Sequence, residues 1–254
     1  MGAFNDLSRR FTAMAGRKSA ALLLLSCLLG LACGAAQAQQ APQHLRDAQA
    51  LLGQLDLANT HYEHGPGQVL WQSPVQVHTD CSGLVDHLLM HSYGYTTEDL
   101  KRWLGSHRPT ARRYYDTIQA GKGFTALDRV TDLQPGDVIA VKYLHRTDNT
   151  GHIMLVAEPP QRIQAKAPLV DGTAQWQVSV IDSAESGHGT TDTRHKRGAG
   201  GKDHDGLGQG VIRLYTDHQG QVAGFAWSVL KVSEFRGPDD EPVVLGRLAV
   251  NFKP

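Results

Sequence analysis

The stretch Leu133-Gln134-Pro135-Gly136-Asp137-Val138-Ile139-Ala140-Val141-Lys142-Tyr143 divides the chain into two kinds of sequence. Pro-Gly is a turn signal, because proline presets one φ and glycine accepts the positive φ that a tight turn needs. The apolar, β-branched run behind it suits a buried strand. Upstream, apolar residues recur at helical spacing. Leu45, Ala48, Leu51, Leu52 and Leu55 predict an amphipathic helix over 44–58. Leu84, Val85, Leu88 and Leu89 predict the inner face of a second helix over 81–92, with Thr79 or Asp80 as its cap. Two more helices are predicted over 98–104 and 110–120, the last stopped by Gly121. Between the first two, residues 60–80 carry His61, His64, Gly65, Pro66, Gly67 and Pro74 and read as a loop. Downstream, strands are predicted over 138–143, 152–158, 176–182, 211–215, 222–229 and 243–250. Helices first and an antiparallel sheet second predict an α+β fold, with one domain over 39–254 and a long polar loop at about 183–210.

Charge and length exclude several function classes. The 254 residues hold 25 Lys plus Arg and 25 Asp plus Glu, a formal net charge of zero. Binding nucleic acid by bulk charge needs a basic surplus that is absent here, so no nucleic-acid partner is expected. The first 38 residues read as an export signal: Arg9, Arg10, Arg17 and Lys18 precede an apolar run over 20–32, and Ala36-Gln37-Ala38 supplies small residues for cleavage. That run is too short for a stable membrane span. A lipoprotein anchored through Cys33 is the less favoured reading, because Leu31 sits one place off the usual lipoprotein spacing. Removing the signal leaves 216 residues with a net charge of −3 and predicts a periplasmic or secreted protein. Cys27 and Cys33 leave with it, so Cys81 remains as a lone thiol, which in an oxidising compartment must be buried or used.

Cys81 stands in Thr79-Asp80-Cys81-Ser82-Gly83-Leu84-Val85, at the predicted start of a helix. First-turn amides and the helix dipole favour a thiolate there, and the Cys81 amide is a candidate oxyanion donor. A nucleophile needs a base, and the base an orienting partner. His152, in Gly151-His152-Ile153-Met154-Leu155-Val156, enters an apolar strand from a loop and is the candidate base. Asp182 ends the next long strand run and is the candidate orienting group. His188, Asp192, His195, His204 and Asp205 fit no tight metal-ligand spacing and read as residues of a solvated, mobile loop, so no metal and no cofactor are expected. Arg194, His195, Lys196 and Arg197 read as a solvated charge run. Gly206-Leu207-Gly208-Gln209-Gly210 leads into a strand instead of opening a helix, which excludes a dinucleotide fingerprint.

Asp80-Cys81-Ser82-Gly83-Leu84-Val85 resembles the nucleophile motif of the NlpC-type cell-wall cysteine peptidases. Leu133-Gln134-Pro135-Gly136-Asp137-Val138 resembles the turn and strand before their catalytic histidine, and Gly151-His152 with its apolar strand resembles the histidine motif. The resemblance covers roughly residues 55–185. It implies a papain-like fold, with the cysteine opening a helix packed on an antiparallel sheet. It also implies hydrolysis of amide bonds in peptidoglycan stem peptides, making those peptides the expected partner. By the same resemblance Asp80, Ser82 and Tyr62 would contact substrate. The family more often places His, Asn or Gln where this chain has Asp182, and follows its tyrosine with an aromatic residue where this chain has Tyr62-Glu63-His64-Gly65. An amidase or acyltransferase on the same scaffold and an inactive wall-binding protein are the alternatives.

Overall fold

The computed structural model describes residues 40–195 and 204–254. The expected export signal and Cys33 lie outside the described residues, as do Lys196 and Arg197. Four helices come early: α1 (Gln43–Gln54), α2 (Cys81–Tyr93), α3 (Thr97–Leu104) and α4 (Ala111–Gln119). Each matches a predicted helix to within a few residues. Between α1 and α2, where the sequence read as loop, three short strands form a small sheet: β1 (Thr60–His61), β2 (Gln68–Leu70) and β3 (Gln76–His78). They are two or three residues long, too short to show an alternating pattern.

Among the described residues the large sheet has eight strands. They are β4 (Phe124–Leu127), β5 (Val138–Lys142), β6 (Gly151–Val156), β7 (Gln161–Ile163), β8 (Ala174–Ala184), β9 (Gly206–Thr216), β10 (Val222–Ala226) and β11 (Val243–Leu248). Its order is β10-β9-β8-β6-β5-β11-β4, with β7 pairing on β8. All its pairings are antiparallel, so the α+β architecture stands. The six predicted strands are all present, and β4 and β7 are added to them.

The sheet is buried on both faces at its centre, which explains the unbroken apolar runs. Val138, Ala140, Ile153, Leu155 and Ile181 join the core beneath the helices, with Leu84, Leu88 and Trp103. Their neighbours Ile139, Val141, Met154, Val156 and Val180 point the other way, into a second core with Ile212, Leu214 and Phe225. Burying each such Leu, Ile, Val or Phe side chain contributes about 1.5–3 kcal/mol. Two cores sharing one set of strands hold β6 and β8 rigidly beside each other, with Leu155 opposite Ile181 and Val156 opposite Val180.

The expected loop at 183–210 is shorter than its sequence suggests. Ser183 and Ala184 complete β8, and Gly206 to Gly210 begin β9, with Asp182 opposite Gly208 and Val180 opposite Gly210. Residues 187–194 fold back onto that hairpin. A side chain at Gly208 would run into Arg194, and one at Gly210 into Asp192 and His188. The alternate glycines therefore bare one face of β9 for close approach of the returning chain. His188, Asp192 and Arg194 are consequently buried, which corrects their reading as solvated loop residues.

Candidate active site

The turn into α2 sets the nucleophile. Asp80 is the cap residue, in extended conformation, and accepts a 2.8 Å hydrogen bond from the Gly83 amide. Helical geometry thus begins at Cys81, whose own amide lies in the unpaired first turn. The turn is anchored from both sides. Ser183 Oγ donates to the Thr79 carbonyl at 2.5 Å, tying it to the end of β8. Thr60 Oγ1 accepts from the Leu207 amide at 2.7 Å, tying the small sheet to β9. Arg108 donates to Asp80 at 2.7 Å and to Ser82 Oγ at 3.2 Å, and lies 3.4 Å from Asp86.

Cys81 is a buried free thiol beside the imidazole of His152, close enough for its charge to act on the ring. The ring's Nε2 is 2.6 Å from Asp182 Oδ2, which leaves Nδ1 for the sulfur. Burial works against a charged imidazole at His152. The neighbouring Cys81 and Asp182 outweigh it and hold the ring's pKa up to about 10. Asp182 is fully buried, and burial would neutralise it. The opposing charges of His188 and Arg194 and the bond from His152 instead hold it well below the usual carboxylate range. Its contacts account for this: Oδ2 also meets His188 Nε2 at 2.7 Å, and Oδ1 accepts from Arg194 at 2.8 Å.

A cleft of about 80 Å³ opens on the thiol, lined by Tyr62, His64, Asp80, Cys81, Ser82 and Gly151 among others. Burial, together with the negative charges near Cys81 and Asp80, raises the Tyr62 phenol. Burial also opposes the charge on Asp80, but Arg108 and the Gly83 amide hold its carboxyl below the usual range.

The chain is 36% identical over 225 residues to an uncharacterized protein of Acanthamoeba polyphaga mimivirus, an alignment spanning 82% of this chain and 97% of the viral one. The two proteins belong to one family. No protein-family model matches the chain, and no solved structure matches it.

All six residues singled out in the sequence come together: Cys81 beside His152, His152 hydrogen-bonded to Asp182, and Tyr62, Asp80 and Ser82 around the cleft with Cys81. The sequence reading missed His188, Arg194 and Asp192 on the far side of Asp182, Arg108 beneath the nucleophile turn, and Trp227, whose ring lies edge-on to His152 and stacked with His188. The alternating glycines of β9 were the one signal that pointed to a buried return segment.

The loop residues grouped earlier as possible metal ligands do not gather as a set. Asp205 pairs with His61 at 3.0 Å, while among the described residues the His and Asp ligand atoms that converge are those of His152, Asp182 and His188. Their separations of 2.6 and 2.7 Å are hydrogen-bond lengths, and the Arg194 cation already neutralises the shared carboxylate. The arrangement is that of a charged hydrogen-bond network.

Proposed function

We propose that this protein is a papain-like cysteine hydrolase that cleaves amide bonds in peptidoglycan stem peptides after export to the periplasm or beyond. The observation that carries the reaction class is the line Cys81–His152–Asp182, with the cysteine at a helix start and the carboxylate locked in its charged form. The substrate class rests on the resemblance of Asp80-Cys81-Ser82-Gly83 to the NlpC-type motif.

In this reading the Cys81 sulfur, as thiolate, forms a bond to the amide carbonyl carbon. The carbonyl oxygen takes up negative charge beside the first-turn amide of Cys81. His152 gives its Nδ1 proton to the departing amine as the carbon–nitrogen bond breaks, leaving an acyl thioester on Cys81. Water then attacks the thioester while His152 takes the water's proton, releasing the carboxylate and restoring the thiolate–imidazolium pair. Asp182 keeps Nε2 protonated and the ring aimed throughout. Tyr62, Asp80 and Ser82 line the approach and contact the peptide.

The test is digestion of purified peptidoglycan by the wild type and by Cys81→Ala, read by mass spectrometry of the released fragments. New amine and carboxylate ends from the wild type alone support the reading. Equal release by both proteins overturns the role of Cys81, and cleavage of simple peptide amides without any wall fragment overturns the substrate.

A further inference from the structure

Resting on that reading, we propose that His188 and Arg194 are positioning residues of the same site. Between them they hold both oxygens of the Asp182 carboxylate, and through it they fix the ring that faces Cys81.

An aspartate that orients a histidine needs only one acceptor bond to do so, yet Asp182 is gripped from three directions. Oδ2 accepts from His152 and His188, and Oδ1 from Arg194. The grip is itself fixed. Arg194 donates to Asp192 and to the carbonyls of Asp182 and Gly206, and is fully buried. The His188 amide donates to Asp192 at 2.7 Å, and the His188 carbonyl accepts from Val211 at 3.1 Å. The His188 ring stacks with Trp227 at 5.6 Å between centroids. Asp192 thus serves both residues, and residues 188–194 are pinned against β9.

The two residues divide the work. Arg194 supplies a permanent charge that keeps a buried carboxylate ionised, since an unpaired one would take up a proton. His188 is the tuning partner. Both imidazoles donate to the same oxygen, so each weakens that oxygen as an acceptor for the other. The groups facing His152 are Cys81 from α2, Asp182 from β8, and the rings of His188 and Trp227, with Arg194 and Asp192 behind them. Removing the His188 donor while Arg194 stays leaves Asp182 ionised and concentrates its charge on His152. The imidazolium then holds its proton to higher pH.

The rate of Cys81 alkylation by iodoacetate against pH reads this without any substrate, so its failure is distinct from failure of the hydrolase reading. In His188→Leu the alkaline limb should move up by about half a pH unit or more, a fraction of the roughly one to two units that a lost bond to a charged group represents. His188→Gln, which can still donate to Asp182, should stay close to wild type. An unmoved limb in a folded His188→Leu protein overturns the proposal, as does an equal shift in the Leu and Gln variants, which would make the role one of packing. Should His188→Leu not fold, nitrogen NMR of the wild-type imidazoles decides. The proposal requires a proton on Nε2 of both His152 and His188 near neutral pH, and a bare Nε2 on His188 overturns it.

Discussion

At the scale of single residues, the site depends on charge that burial would otherwise extinguish. Asp182→Asn keeps size and one acceptor but removes the charge that, with Cys81, holds His152 up near 10. His152 should then lose its proton earlier, so the alkaline limb of turnover should move to lower pH, opposite in sign to the shift expected for His188→Leu. A pH–rate profile coinciding with wild type would show that Asp182 does not orient the base. Cys81→Ala should abolish turnover while leaving the thermal midpoint within a few degrees, because one small side chain at a helix start contributes little packing. His152→Ala should slow turnover by at least ~10²-fold, the usual range for a general acid–base. Taken from sequence, His188 was expected to be a dispensable loop residue. Its burial against Asp182 removes the basis for that expectation.

At the scale of elements, two glycines in different settings should respond oppositely to alanine. Gly53 lies exposed in α1 with open space where a Cβ would go. Gly53→Ala should stabilise the protein by roughly 0.5–1 kcal/mol, since alanine loses less backbone freedom on entering a helix. Gly208 lies in β9 against the Arg194 side chain. Gly208→Ala should destabilise by about 1–3 kcal/mol, the scale of overpacking, and should also lower turnover by disturbing the grip on Asp182. Urea midpoints of both variants check this, and a neutral Gly208→Ala would mean that the return segment does not lie on the strand. The same pair shows what periodicity can carry. α1, α2 and the six predicted strands were legible because each buries one face, or both faces, over enough residues to leave a pattern. β1 to β3 and β7 are too short to leave one, and what fixes them is pairing with a neighbouring strand.

For the whole molecule, stability should depend on pH through a few buried carboxylates of opposite behaviour. Asp80 and Asp182 are held below their unfolded values, so they stabilise the fold above about pH 4 and lose that contribution as pH falls. Asp86 behaves in the opposite sense. Burial raises it to about 7, partly offset by the Tyr114 hydroxyl at 2.6 Å and by Arg108. The folded state therefore holds a proton there that the unfolded chain has already lost above about pH 4, and stability from this group declines as pH rises from about 4 to 7. Asp86→Asn should flatten that decline, so its unfolding midpoint should change less between pH 5 and 8 than that of the wild type. Equal slopes would place the Asp86 carboxyl at an ordinary value. No helix among the described residues is long and apolar enough to cross a membrane.

The sequence alone determined the α+β order, the helix that begins at Cys81 and the strand that carries His152, because these follow from local spacing, capping and the turn at Pro135-Gly136. It also picked out Asp182, since a polar residue ending an apolar strand run is visible in one dimension. Only the tertiary structure decided which charged residues lie inside. Arg194, Asp192 and His188 stand in a polar, glycine-rich stretch that reads as solvated. They are buried because Gly208 and Gly210 let the returning chain lie against β9 and because their charges and donors satisfy one another around Asp182. Burial of a charge depends on its partners in space, and spacing along the chain holds no record of them.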